Sequence, residues 1–241
     1  MSIMSTGTLV DLSQPIYEGM PVYPGHLATA MWTHTTHEET AERFVGGFSF
    51  QSMGVTLCDH GPTHVDALSH LDPDPRAASI DQMGLDLFWG PGTCLDVSEA
   101  AASRDVTAND LQRAADEISV DVRPGDVLLL CTGTHTRYGD TSRYTTGYTG
   151  FDTTAAEWLR SSRIKIFGVD SPSPDSPSSP DYPVHMMCRA SGITHYENLA
   201  GLERVIGRRF QFFGLPLYIR GGTGSPVRAV AILDGQEATG R

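Results

Sequence analysis

The sequence predicts a single α/β domain built on a mixed sheet, and three observations carry that reading. Residues 126–132, Asp-Val-Leu-Leu-Leu-Cys-Thr, are an apolar run of strand length, which marks a central strand covered on both faces. Strand-like segments outnumber helical ones by about two to one. The two clear helices carry their own start signals, at Thr107 and Asp152, and sit among the strands instead of in a block of their own. An α/β or layered β/β/α arrangement accommodates that order.

In chain order, residues 9–13 (Leu-Val-Asp-Leu-Ser) read as a first strand that Pro15 stops. Pro21 and Pro24 around Tyr23 make a rigid turn. Residues 30–37 alternate with β-favouring side chains, and residues 48–57 alternate as a strand leading into the motif described below. Residues 92–97 form a short apolar strand. Thr107 caps a helix with a carboxylate, Asp110, at its third position and Leu111, Ala114, Ala115 and Ile118 at helical spacing. Asp152 caps the next helix, residues 165–170 are the strand after it, and residues 210–219 and 227–233 close the chain as strands. The small, polar residues 1–8 are expected to be an extended or disordered tail, leaving 9–241 as one domain long enough for a sizeable core.

The most informative stretch is His60-Gly-Pro-Thr-His64-Val-Asp66-Ala-Leu-Ser-His70. Gly61 and Pro62 oppose a helix, and in an extended segment side chains two and four apart share a face. His60, His64 and Asp66 would then converge, with His70 a short distance beyond. Two imidazoles and a carboxylate form a three-donor set for a divalent metal that keeps a position open for water. Each histidine alone is more often a hydrogen-bonded structural residue than a ligand, and it is the four-residue pattern that favours metal. The absence of a glutamate after the first histidine separates the motif from the helical metalloprotease signature.

Further residues recur in a known order. They are Met20-Pro-Val-Tyr-Pro-Gly25, Gly168-Val-Asp-Ser-Pro-Ser173, His185, Glu197-Asn-Leu, Leu215-Pro-Leu and Ser225-Pro-Val-Arg-Ala229. Together with the histidine motif they resemble the cyclase family of metal-dependent hydrolases, which includes bacterial kynurenine formamidases, isatin hydrolases and proteins labelled polyketide cyclases. The family pattern His-x-Gly-Thr-His-x-Asp-Ala-x-x-His is kept except at Pro62, where glycine is usual. The resemblance covers nearly the whole chain. It implies a swivelling β/β/α fold, one metal on His60, His64 and Asp66, and a second bound by His185 and Glu197 with Asp66 as bridge. It also implies His70 as general acid/base. His195 competes as a ligand or substrate contact if its segment is extended. Zinc is the first expectation and manganese the second, with one or two ions per chain.

The resemblance also implies a hydrolase that opens an amide, cyclic amide or lactone bond of a small aromatic substrate, with cyclisation of an aromatic polyketide as the alternative. Tyr23, Trp32, Phe48 and Phe50 are candidates for the substrate pocket, and core packing is the competing reading for each. His26 stands where many relatives carry an acidic residue after Pro-Gly. A homo-oligomer, a dimer or tetramer, is expected.

A net charge of −12 and a pI near 5.0 argue against nucleic acid or an anionic membrane as partner. Without an apolar run of spanning length or a signal-peptide layout, the chain is expected in the cytoplasm. Cys58, Cys94, Cys131 and Cys188 are too scattered for a Cys-x-x-Cys site and are expected reduced, with Cys58 and Cys188 near proposed ligands. Residues 172–183, rich in Pro, Ser and Asp, read either as a solvated loop or as an ordered loop over the site. Residues 221–226 resemble a phosphate cradle but lack its lysine, so a hairpin connection before the last strand is expected.

Overall fold

The computed structural model describes residues 7–233. Of the expected tail, residues 1–6 lie outside that range, as do residues 234–241 of the expected domain. The strands are β1 (Thr8–Asp11), β2 (Ala30–Thr35), β3 (Ser52–Thr56), β4 (His64–Asp66), β5 (Trp89–Asp96), β6 (Val127–Cys131), β7 (Ile166–Val169), β8 (His195–Glu197), β9 (Phe210–Phe213), β10 (Gly224–Pro226) and β11 (Val230–Leu233). The α-helices are α1 (His37–Ala41), α2 (Leu68–Leu71), α3 (Ser98–Ala101), α4 (Ala108–Glu117), α5 (Thr134–Tyr138), α6 (Thr153–Ser161) and α7 (Pro183–Ser191). Helices are thus more numerous than expected, because single turns such as α2 and α5 are too short to show a helical period.

Nine strands form one mixed sheet in the order β1-β11-β9-β5-β6-β7-β8-β4-β10. The central pairs β5–β6, β6–β7 and β7–β8 are parallel, and the flanking pairs are antiparallel. The apolar run at 126–132 is central, as its composition required. Val127, Leu129 and Cys131 face one core, Leu128 and Leu130 the other. The first core gathers residues from β1, β4, β6, β8, β9 and β11, so the sheet curls over it. The second lies between the sheet and α4, α6 and α7. That is the layered β/β/α arrangement.

The curl brings the sheet's ends together. Residues 227–229 link β10 to β11, where the Val227 amide donates to Thr63 O and the Leu12 amide to Ala229 O. The expected hairpin connection at 221–226 is therefore corrected: residues 224–226 are the edge strand β10, paired with β4. A side chain at Gly224 would meet the His60 ring at 2.7 Å, so only glycine lets that strand pass.

Other expected strands shift in their bounds, the last of them beginning at Val230 instead of Val227. The strand at 30–37 ends at Thr35, because Thr36 and Glu39 exchange hydrogen bonds as a capping box and start α1. The strand at 48–57 begins only at Ser52, because the Thr40 hydroxyl bonds both the N–H and the carbonyl of Phe50 and holds it outside the ladder. The strand at 210–219 stops at Phe213, ahead of Gly214, which packs tightly on Tyr196.

Candidate metal centre

Strands alternate, and two of them set the centre. On β4, Val65 faces the first core while His64 and Asp66 project to the opposite side. On β8, Tyr196 faces the same core while His195 and Glu197 project with His64 and Asp66. The antiparallel register pairs His64 with Glu197 and Val65 with Tyr196. Four polar side chains therefore stand in a block on two adjacent strands, all nearly inaccessible to solvent.

The other site residues come from turns and helices. His60 precedes β4 in a turn and His70 sits on α2, so the wholly extended geometry expected for 60–70 holds only for His64 and Asp66. The four are brought together nonetheless, with the His60 ring 5.0 Å from that of His64 and 4.1 Å from that of His70. His185 enters from the first turn of α7. Residues 171–176 are buried against the site whereas residues 177–182 are mostly exposed, so the Pro/Ser/Asp stretch is an ordered loop at the site in its first half and a solvated one in its second. Its Asp175 accepts from the amides of Val184 and His185 at the start of α7, and from His185 Nδ1 at 2.5 Å. Asp175 carries no distinguishing mark in the sequence, since an acidic residue in such a stretch looks like any solvated one.

Hydrogen bonding fixes which imidazole nitrogens are free. His64 Nδ1 lies 2.8 Å from Pro62 O, a pure acceptor, so that nitrogen carries the proton and Nε2 is the lone-pair side. Asn198, left-handed at φ 57°, donates to the same carbonyl and holds the turn. Thr223 donates to Asp59 Oδ2 and so accepts from His60 Nε2, which leaves His60 Nδ1 facing Asp66 Oδ1 at 2.8 Å. His185, donating to Asp175, turns Nε2 toward Glu197 Oε1 at 3.8 Å.

Lone pairs thus face carboxylates. His64 Nε2 is 3.2 Å from Asp66 Oδ1 and 3.4 Å from Glu197 Oε2, and among the described residues it is buried without a hydrogen-bond partner, as is Asp66 Oδ2. Such an arrangement repels unless a cation lies between. Without one, protons would have to serve. Burial opposes a charge on His64, yet the Asp66 and Glu197 carboxylates push it up to about 10. His185 is similarly raised to about 9 against its burial, by Asp175 and Glu197. Burial works against ionised Asp66, but His195, His60 and His64 hold it well below the usual carboxylate range. The residues fit divalent metal: donor atoms of His60, His64 and Asp66, and those of Asp66, His185, His195 and Glu197, each lie within 4.8 Å of one another.

A cavity of about 290 Å³ opens beside this block, lined among others by Tyr23, His26, His70, Tyr182, His185 and Glu197. His70 is half-buried there, 4.0 Å from Asp66 Oδ2, and its burial lowers its pKa below the ordinary histidine value. Tyr23 and Tyr182 bring their hydroxyls to 3.4 Å across the cavity. Trp32, Phe48 and Phe50 are not among the lining residues: all three are exposed, Trp32 on β2 of a separate two-stranded β2–β3 sheet and Phe48 and Phe50 just ahead of β3. An aromatic side chain in the sequence does not say which surface it will join. All four cysteines are free thiols, and neither Cys58 nor Cys188 lines the cavity. Among the described residues no helix is long and apolar enough to cross a membrane.

Three comparisons bear on this geometry. A family model described as "Putative cyclase" matches residues 10–176. A kynurenine formamidase of Geobacillus thermodenitrificans is 27% identical over 223 residues, 91% of this chain and 95% of that protein. Among solved structures, isatin hydrolase A of Labrenzia aggregata, bound to benzyl benzoate, superposes with a TM-score of 0.81 at 21% identity, covering 95% and 94% of the two chains. A structure described as a potential metal-dependent hydrolase with cyclase activity superposes at 0.73 with 22% identity, covering 95% and 98%.

Proposed function

The chain belongs to the putative cyclase family, and we propose that it is a metal-dependent hydrolase that opens a C–N bond of a small amide or cyclic amide, in the manner of an arylformamidase. The observation that carries this reading is the block of imidazole lone pairs and carboxylates on β4 and β8, open to a cavity at His185 and Glu197. Its full-length similarity to kynurenine formamidase supports the amide specificity. The cavity's volume is at the small end for ligand sites and suits a one- or two-ring substrate.

His60, His64 and Asp66 would hold one divalent ion. Asp66, His185 and Glu197 would hold a second, zinc before manganese because two imidazoles with carboxylates suit it best. Bound there, such ions polarise a carbonyl and make water a nucleophile at neutral pH. The chain's own groups do the rest. His70, neutral because burial lowers its pKa, takes a proton at its ring nitrogen and returns it to the departing amine nitrogen. Tyr23 and Tyr182 offer hydroxyls to the substrate across the cavity, and Leu71 and Met186 supply apolar walls. The four free thiols support a reducing compartment, the cytoplasm. We also retain the homo-oligomer, to which the exposed apolar residues of the β2–β3 sheet lend support. The cyclisation alternative rests on a family label and on no feature of the cavity.

The test is an assay of protein purified without added metal on N-formylkynurenine, isatin and a simple aryl lactone, before and after chelation. Hydrolysis of the formamide or cyclic amide that disappears on chelation and returns with Zn²⁺ or Mn²⁺ is expected. Turnover unaffected by chelation, in protein shown to be metal-free, would overturn the reading.

A further inference from the structure

We propose that His195 is a direct ligand of the second ion, so that the position formed with Asp66, His185 and Glu197 has four protein donors and holds its metal more tightly than the first. The inference rests on the two-ion reading above and adds to it a ligand that the family motif does not contain.

Three observations carry it. The first is placement. The register that pairs His64 with Glu197 brings Asp66 beside His195 when it is continued by one residue, so the two β8 side chains and the two β4 side chains are mutual neighbours. His195 Nε2 lies 3.4 Å from Asp66 Oδ2 and 3.1 Å from Glu197 Oε1. Ligand atoms on a tetrahedral zinc with bonds of about 2.0–2.1 Å are separated by about 3.3–3.4 Å, so these gaps are those of neighbouring donors on one ion.

The second is what the ring does not satisfy. A fully buried imidazole beside two carboxylates could serve only as a hydrogen-bond donor. His195 Nε2 is hydrogen-bonded to Glu197 Oε1 at 3.1 Å, yet the buried Asp66 Oδ2, 3.4 Å from the same nitrogen, has no hydrogen-bond partner among the described residues. A donor N–H reaches one oxygen well. A cation reaches both, and Glu197 Oε1 and Asp66 Oδ2 flank the same nitrogen.

The third is preorganisation. The His195 ring is stacked on Phe167 at 5.1 Å and 17°, and meets the His185 ring edge-on at 4.9 Å. Its far nitrogen, Nδ1, lies 3.7 Å from Cys188 Sγ. Sulfur accepts weakly, so Nδ1 can carry the ring proton there, the tautomer in which Nε2 presents its lone pair to a cation. A ring locked in plane, with its lone pair aimed between two carboxylates, is how a metal site is built on strands.

The experiment has two arms. In the first, wild-type crystals loaded with Zn²⁺ are measured for anomalous scattering. Two peaks are expected, the second within bonding distance of His195 Nε2, about 2.0–2.2 Å. Two peaks with the second beyond reach of His195 would overturn this proposal and leave the two-ion reading standing. A lone peak on His60, His64 and Asp66 would overturn both. A lone peak on Asp66, His185, His195 and Glu197 would support His195 and remove the second ion from the function.

In the second arm, Zn²⁺ retention under chelator competition and the visible absorption of the Co²⁺-loaded protein are compared between wild type, His195→Gln and His195→Phe. Glutamine keeps a donor for Glu197, and phenylalanine keeps the stack on Phe167. If His195 is a ligand, neither rescues: the tighter equivalent is lost by more than about a hundredfold in affinity while the weaker one stays, and the intense tetrahedral Co²⁺ bands fade. If His195 only donates a hydrogen bond, His195→Gln retains both equivalents and the spectrum, and the proposal fails.

Discussion

Asp66 on β4 and Asp110 in the first turn of α4 are both buried carboxylates, 1% and 5% exposed, and the protein surrounds them in opposite ways. Asp110 is completed from within. Arg104 reaches both its oxygens at 2.7 and 2.9 Å, and the Thr107 amide and hydroxyl donate at 3.0 and 2.7 Å. Asp66 faces imidazoles whose hydrogen bonds turn lone pairs toward it, and one of its oxygens has no donor among the described residues. The α4 region spends its carboxylate on stability, whereas the β4–β8 block is incomplete until something positive enters. That difference separates a structural ion pair from a site more sharply than burial does.

The largest expected effect follows from removing the incomplete carboxylate. Asp66→Asn should lose bound metal, measured by elemental analysis, and reduce turnover by on the order of 10³-fold or more. Full metal content in the variant would show that Asp66 is no more a ligand than Asp110 is.

Next comes His70, which lines the same cavity as His185 and Glu197. His70→Ala should keep its metal and lose roughly 10²-fold in turnover. The sign with pH follows from the base role. A histidine is competent as a base above its pKa, and burial sets that of His70 below 6.5. The wild-type rate should rise with pH through an inflection below 6.5, and that limb should be absent from the variant. Loss of metal in His70→Ala would make it a ligand instead.

How much of this contrast could be read from the sequence depends on what each residue's neighbours reveal. His64-x-Asp66 and His195-x-Glu197 declare a shared face by alternation alone, and Thr107-x-x-Asp110 declares a cap. Asp175 declares nothing, because its role requires α7 to start at Pro183 and swing His185 back onto it. Gly224 and Thr223 are equally mute, since β10 lies at a sheet edge that exists only after the whole sheet has curled. The pocket aromatics divide the same way. Tyr23 sits in a proline-fixed turn and reaches the cavity, whereas Trp32, Phe48 and Phe50 follow the β2–β3 sheet outward, and Tyr182 arrives through the loop. Motifs within one strand were legible; contacts made by long-range closure were not.

A smaller effect tests the complete carboxylate. Asp110→Asn should cost about 1–2 kcal/mol, the range of a lost helix cap, and lower the melting temperature by several degrees without touching metal content or turnover. The Arg104 hydrogen bonds depress the Asp110 pKa below its ordinary 3.8. A carboxylate depressed on folding stabilises above its unfolded value and loses that stabilisation as pH falls. The gap between wild type and variant in thermal melts should therefore be full at pH 7 and shrink below about pH 4. A pH-independent gap would mean that packing, not the ion pair, is what the substitution removes.

The smallest effect belongs to Asp170, at the end of β7, a buried carboxylate with neither arginine nor the histidine block to complete it. The Thr132 amide and hydroxyl both donate to its Oδ1, at 2.7 and 2.6 Å, and burial raises its pKa above 3.8. Asparagine presents the same oxygen to the same two donors, so Asp170→Asn should change stability by less than about 1 kcal/mol near pH 4. A carboxylate whose pKa is raised on folding must give up a proton at a cost, so wild-type stability falls as pH climbs from 3.8 toward the folded value. The asparagine variant escapes that cost and should melt slightly higher than wild type at pH 7, with the advantage gone at pH 3.5. Metal content should not move. If Asp170→Asn instead releases an equivalent of zinc, this third carboxylate is completed by a cation after all, and the centre extends beyond the two strands that define it.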